Sequence, residues 1–424
     1  MASTMRFPSA GLWRHADFLK LWAGQTVSQL GSQVTQLALP LTAALTLEAT
    51  AWQMGVLGAA AFAPFLLFGL FAGVWVDRLP RRRILVAADL GRALLLGLIP
   101  LAAQLGVLRI ELLCAVGFLA GVLTVFFDVA YQSYLPALVD RSQLVEGNAK
   151  LEVSRSVAQV GGLGVGGALV QLLTAPVAIA VDALSFLASA VFLATIRCAE
   201  PRAPADTRPN IWTEIREGLG VVLGNPLLRA IAGCTATANL FSNIGMAVYV
   251  LYVTRELGVT PALLGVVFAA GSGGALVGAL LASRIADWIG LGPTIVGVAL
   301  LFPLGGLLVV VAGGPPLVVA AILIAAQAAT NFCGPVYNVN QVSLRQAITP
   351  DRLQGRTNAT MRFVVWGTIP IGALVGGFLG DAIGLRATLL VGALGGGLAF
   401  LWMLLSPVRG LHEQPTPRET GGGR

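Results

Sequence analysis

The chain has 424 residues, of which 56% are hydrophobic and 11% charged, and its mean hydropathy is +0.82. Soluble domains carry about 25% charged residues, so a water-soluble globule is excluded. Runs of roughly 20 apolar residues, the length needed to cross a bilayer, recur throughout. The net charge of +7 does not point to nucleic acid, because the arginines fall mainly between the apolar runs, where they orient a chain in the membrane. The 52 glycines suit close-packed membrane helices. Cys114, Cys198, Cys234 and Cys333 are dispersed, without metal or redox spacing, and read as small packing residues. No metal site and no cofactor are expected.

Hydropathy and turn signals predict twelve spans: 18–45, 53–76, 84–106, 111–133, 149–172, 176–196, 228–252, 262–284, 293–312, 316–338, 358–380 and 386–405. The N-terminus keeps its charges up to Lys20 and has no small-residue cleavage site before the first span, so a removable signal peptide is not expected. Span 1 contains "AGQTVSQLGSQVTQLALP". At about 100° per residue, Gln25, Gln29, Ser32 and Gln36 form a stripe flanked by Gln33. Span 3 holds Asp89 and Arg92, three residues apart and able to pair along one face. Asp128 lies near the end of span 4. Span 5 opens with Glu152, Arg155 and Gln159 on one face, and span 6 carries Asp182 above Ser185 and Ser189. Ionisable groups in a bilayer are costly and mark candidate sites. For Asp89–Arg92 and Glu152–Arg155, proton coupling stands beside a structural ion pair. For Asp182 it stands beside a carboxylate satisfied by hydroxyls or backbone.

The loop 197–227 begins Pro- and charge-rich and continues as an amphipathic helix from Ile211 to Leu223. Beyond it the sequence repeats at an offset of 210 residues. "QLGSQ" (29–33) falls on "NLFSN" (239–243), Gly55-Val56 on Gly265-Val266, and Asp77 on Asp287. "NAKLEVSRSVAQVGGLGVGG" (148–167) falls on "NATMRFVVWGTIPIGALVGG" (358–377). An even number of spans per half makes the repeats parallel. The polar groups of spans 1 and 7, the latter Asn239, Ser242 and Asn243, then face one another across the pseudo-twofold axis. They are expected to line a central cavity together with Gln327 and Asn331 of span 10, where Pro335 predicts a kink. Phe127, Trp366 and Met246 are expected to add apolar contacts. Arginines and lysines cluster with both termini on one side of the spans, against only Arg109, Arg255 and Arg386 on the other, which places both termini in the cytoplasm.

"GVWVDRLPRRRIL" (73–85) resembles the loop between spans 2 and 3 of the major facilitator superfamily, keeping Gly73, Asp77, Arg78, Arg81, Arg82 and Leu85 but with Trp75 and Pro80 for the usual leucine and glycine. "AYQSYLPALVDRSQLVEGNA", "VDALSFLASAVF", "EIREGLGVVLGNPLLRAI" and "TPDRLQGRTNA" are similar to the drug and siderophore exporter branch. The resemblance covers essentially the whole chain. It implies a cytoplasmic latch of Gly73, Asp77, Arg78, Arg81 and Asp128, in which Asp128 pairs with Arg81 and Asp77 faces the start of span 11. The runs "GGLGVGG" and "GALVGGFLG" resemble a degenerate exporter glycine motif with Val165 in place of its proline.

The expectation is an all-α polytopic membrane protein of twelve transmembrane helices in two parallel six-helix repeats, the major facilitator fold. Its parts are bundles over 1–196 and 228–405, the cytoplasmic linker 197–227 and a disordered tail 406–424. Its function is export of small amphipathic molecules by proton antiport across a bacterial inner membrane, as a monomer without nucleic-acid partners. A nutrient importer or proton symporter on the same fold is the alternative, and a transport-inactive membrane sensor a remote one. No HExxH, GxSxG or GxxxxGK[ST] motif supports an enzyme.

Overall fold

The computed structural model describes residues 12–69, 71–76, 79–140, 143–197 and 211–412. The N-terminal half comprises α1 (Ala16–Leu41), α2 (Ala51–Phe68), α3 (Ala72–Val76), α4 (Arg81–Gln104), α5 (Ile110–Leu138), α6 (Leu144–Leu173) and α7 (Ala175–Ala194). Surface helix α8 (Ile211–Gly224) leads into the C-terminal half. This half comprises α9 (Pro226–Leu251), α10 (Pro261–Gly271), α11 (Gly273–Ile289), α12 (Leu291–Val311), α13 (Pro316–Ile348), α14 (Asp351–Ile383), α15 (Leu385–Gly397) and α16 (Ala399–Leu404). Three predicted spans are therefore broken into pairs: α2 with α3, α10 with α11 and α15 with α16.

Eleven of the spans are long and apolar enough to cross a membrane by length and composition. The twelfth is α1, whose glutamines, serines and threonines lower its hydropathy. It spans because its neighbours cover it. Gly24, Ser28 and Gly31 face α7: a Cβ built on Gly31 would fall 2.6 Å from Asp182 Oδ1. Trp22 Nε1 donates to Ser154 Oγ of α6 at 2.8 Å. In a medium without water, side-chain bonds between helices are what keep such a segment in the bundle.

The repeat is geometric as well as textual. The π-helical turns that end α1 and α9, Thr42–Thr46 and Tyr252–Glu256, lie 210 residues apart, as do the starts of α7 and α15. The positive φ angles also coincide, with Glu48 (50°) matching Gly258 (64°) and Thr174 (86°) matching Gly384 (87°). Glycine suits such a backbone because it has no Cβ to clash, and the N-terminal half holds the same turns with side chains.

The glycine runs work in matched pairs. On α6, Gly162 and Gly166 pack on Gln33 and Val34 of α1; on α14, Gly372 and Gly376 pack on Asn243 and Ile244 of α9. One residue further, each helix touches the other half. A Cβ on Gly377 would lie 2.9 Å from Gly55 Cα, and one on Gly167 would lie 2.8 Å from Gly265 Cα. Both crossings sit near the face opposite the termini, hereafter the far face.

The core shows the consequence. On the far side one hydrophobic core runs continuously through both halves, from Val34, Leu57 and Ile179 to Val248, Leu264 and Leu389. On the termini side it divides in two. One part, around Phe18, Leu85 and Tyr134, belongs to the N-terminal half; the other, around Ile231, Val298 and Met403, belongs to the C-terminal half. The halves are joined at the far face and part towards the termini.

Several boundaries differ from expectation; α14, for one, begins at Asp351 rather than 358. Span 10 continues as helix to Ile348, because "YNVNQVSLRQ" keeps an apolar face (Val336, Tyr337, Leu344) against its own half. The tail is ordered as far as His412: Pro407–Gly410 is a 3-10 turn with Val408 fully buried, and Gly292 N donates to Leu411 O at 2.7 Å. Residues 413–424 lie outside the described residues, as do 198–210 of the linker.

Thr174 has φ 86° and ψ 154°, a region populated almost solely by glycine, and makes no side-chain capping bond. Thr174→Gly is expected to raise the unfolding temperature in detergent by a few degrees, measured by differential scanning fluorimetry against wild type.

Candidate substrate cavity and membrane charge network

The hydrophobic core is divided on the termini side, and several expected cavity residues keep surface free. Ser242 and Gln36 are exposed, and Gln29, Gln33, Asn239, Asn243, Gln327 and Asn331 are half-buried. Gln25 differs: only 5% of its surface is exposed, and its Nε2, like Gln33 Oε1, has no hydrogen-bond partner among the described residues. Asn243 Nδ2 donates to Asn239 O at 2.8 Å, so part of its capacity is spent within α9.

Formal charge is richer here than expected. Asp128 is exposed, and the cations acting on its charge are Arg92 of α4, Arg155 of α6 and Arg362 of α14. Arg81 is not among these, so the structure sets Asp128 among arginines of both halves rather than beside the α3–α4 loop. Asp77 and Arg78 lie outside the described residues; Gly73 is within α3. Arg82 is turned inward to its own half: its Nε donates to Leu193 O at 3.1 Å and its Nη2 to Ala194 O, capping the C-terminus of α7. Glu152 and Arg155 pair at 3.7 Å and are 67% and 65% exposed. Arg362 stands 5.0 Å from the ring of Trp366, which packs edge-on against Phe65 of α2 at 5.0 Å. Nothing in the sequence signalled Arg362, because its neighbourhood is assembled from three helices.

A second cluster lies inside the N-terminal half. Arg92 Nη2 donates to Asp89 Oδ1, both groups being nearly sealed from solvent. The guanidinium is held between the rings of Phe127 at 4.3 Å and Phe186 at 4.1 Å. Cation–π contacts of this kind contribute up to about 2 kcal/mol each when desolvated. Phe127, expected to line the cavity, is instead 4% exposed and committed to Arg92, while Met246 is 51% exposed. Arg92 also feels Asp128 and Asp182. Asp182 is 1% exposed; it accepts from Ser185 Oγ at 3.0 Å, with Thr35 of α1 alongside. It is not isolated. The pairs read separately from the sequence thus form one cluster, Asp89–Arg92–Asp182, continuous through Arg92 with Asp128.

Two parallel six-helix repeats parted on one side, with ionisable groups inside the spans, define a transporter of the major facilitator class. The chain belongs to the transmembrane secretion effector family, which matches residues 9–420. It is 28% identical over 380 residues to the multidrug efflux pump Tap of Mycolicibacterium fortuitum, covering 85% of this chain and 88% of that one. It is 24% identical over 387 residues to macrolide efflux protein A of Streptococcus pyogenes, covering 87% and 90%. Among solved structures it resembles a bacterial homologue of the iron transporter ferroportin in an inward-facing state, at TM-score 0.70 and 17% identity over 93% of this chain and 100% of that one. It also resembles the nucleoside transporter NupG, at TM-score 0.72 and 11% identity over 92% and 99%. At such identities the structural likeness speaks to the fold alone.

Removing one partner of a buried ion pair costs about 3–5 kcal/mol, because a charge is left unpaired in apolar surroundings. Arg92→Met is therefore expected to destabilise the protein by about that amount, and the double variant Asp89→Asn, Arg92→Met to recover most of it, measured by thermal unfolding in detergent.

Proposed function

We propose that this protein exports drug-like amphipathic molecules across a bacterial inner membrane by proton antiport with alternating access. The observation that carries the reading is the divided core, which is continuous across the halves at the far face and split at the termini face. That arrangement is one of the two states an alternating-access carrier needs. With the arginine-rich loops and both termini in the cytoplasm, it is the inward-open state. The direction, and the drug-like substrate class, are taken from the efflux proteins to which the chain is similar.

Substrate enters the cavity from the cytoplasm or the inner leaflet. Gln29, Gln33, Asn239, Ser242, Asn243, Gln327 and Asn331 offer donors and acceptors, and Trp366 with Phe65 offers an apolar wall. Asp128 and Glu152, set against Arg155 and Arg362, give the cavity a charged centre with no net charge, which suits neutral lipophilic molecules. The proton acts on the cluster of Asp182, Asp89 and Arg92. A proton on Asp182 removes one of the carboxylates balancing Arg92, whose charge then bears more strongly on Asp128 across the Phe127 ring. That shared arginine couples proton to substrate. In the opposite state Gly73, Asp77, Arg78 and Arg81 form the cytoplasmic latch against the start of α14, and Asp128 is released from Arg362. The chain acts as a monomer.

The test is proton flux in inverted vesicles carrying an acid-inside gradient, followed by dequenching of a pH dye as macrolides, ethidium and catechol siderophores are added in turn. Dequenching by at least one compound, lost in Asp182→Asn at equal abundance, is the expected result. Uptake of such a compound that proceeds unchanged without a proton gradient would refute antiport.

A further inference from the structure

Among the described residues, the side-chain hydrogen bonds that cross between the halves cluster at one place, the loop joining α1 to α2 at the far face. Asp381, near the end of α14, accepts from Ala51 N at 3.0 Å through Oδ1 and from Trp52 N at 3.1 Å through Oδ2. Arg255, in the π-turn that ends α9, donates through Nη2 to Ala44 O at 3.1 Å and Ala49 O at 3.0 Å. Both charges belong to the C-terminal half and both grip the same N-terminal loop.

The chemistry at each grip is matched. A helix begins with orphan N–H groups and a partial positive charge. At α2, Thr50 and Gln53 satisfy two of these groups reciprocally: Thr50 N donates to Gln53 Oε1 at 2.9 Å and Gln53 N to Thr50 Oγ1 at 3.2 Å. The two that remain, Ala51 and Trp52, are the ones taken by Asp381. The start of α2 is thus half satisfied by its own residues and half by the opposite half of the protein. Arg255 does the converse, bringing a cation to carbonyls beyond the C-terminal end of α1.

The repeat shows that this grip is an addition rather than part of the fold. The position equivalent to Asp381 is Gln171, and that equivalent to Ala51 is Pro261, which has no N–H to give. Leu45 stands where the other half has Arg255. Both seams share the glycine crossing, but only the seam of α2 with α14 carries charge. We infer that Asp381 and Arg255 are positioning residues of the transport cycle, forming a one-sided lock that holds the far face shut while the termini face is open. The seam of α6 with α10 closes by glycine contact and apolar packing. This rests on the alternating-access reading above. It assigns the opening of the far face to the release of two backbone-directed charges, not of a salt bridge between side chains.

The test uses the full chain in cells, with C114S, C198S, C234S and C333S removing the native thiols. The reporter is Ala373→Cys, a position buried between the halves 3.3 Å from where a Gly58 Cβ would lie. Its rate of labelling by a membrane-impermeant maleimide from outside reads opening of the far face. Asp381→Asn and Arg255→Gln are each expected to raise that rate about tenfold, the effect of losing one hydrogen bond to a charged group. Asp381→Glu, which keeps two acceptor oxygens, is expected to restore it, and Gln171→Ala to leave it unchanged. A second reporter, Gln159→Cys on the exposed face of α6, labelled in inverted vesicles, should slow in the same variants. Acceleration of both reporters would mean loosened folding and would overturn the lock. Gly55→Ala, which places a Cβ 2.5 Å from Ala373 O, serves as the seam control. If Gly55→Ala raises Ala373→Cys labelling while Asp381→Asn and Arg255→Gln do not, the lock is wrong and alternating access stands. If none of the three changes it, both fail.

Discussion

The joint between the halves depends on how closely two helix backbones can approach. Gly55 against Gly377 and Gly167 against Gly265 leave no room for a side chain on either partner. At that distance, packing and weak backbone contacts hold helices together in lipid, where apolar burial between helices adds little. Because both crossings lie near one face, the halves are joined there, and on the opposite side the hydrophobic core divides in two. The exposed charges and the divided core follow from where those four glycines stand.

Much of this architecture was legible in the sequence, because the demand that every backbone group in lipid be satisfied leaves helix as the only option for an all-apolar run. The repeat was legible too, and the glycines at 55 and 265, 167 and 377 appear in it as matched text. What the sequence did not disclose was that these matched glycines touch. Contact between residues 322 or 98 positions apart is a property of the assembled bundle. The extension of span 10 to Ile348 was hidden by its polar outer face, and the burial of Val408 by the turn residues around it.

The candidate site was legible by residue type and misread in grouping. Asp89–Arg92 and Asp182–Ser185 pair along their helices as spacing implies. Yet Arg92 draws both carboxylates, Phe127 and Phe186 into one cluster from three helices, which no single-helix periodicity reports. Family likeness gives Asp128 Arg81 as its partner; in this structure the cations acting on its charge are Arg92, Arg155 and Arg362. Gln25 shows the limit of stripe arguments: it shares a face with Gln29 and Gln36, but its depth in the bundle buries it.

The central claim is that the halves exchange which face is closed. Pulsed electron paramagnetic resonance tests it directly, with spin-label pairs at Asn148 and Gln346 on the termini face and at Leu105 and Leu317 on the far face, all exposed positions. On moving from detergent alone to an added exported compound at varied pH, the termini-face distances should shorten as the far-face distances lengthen. Two pairs that stay fixed, or that lengthen together, would contradict the account.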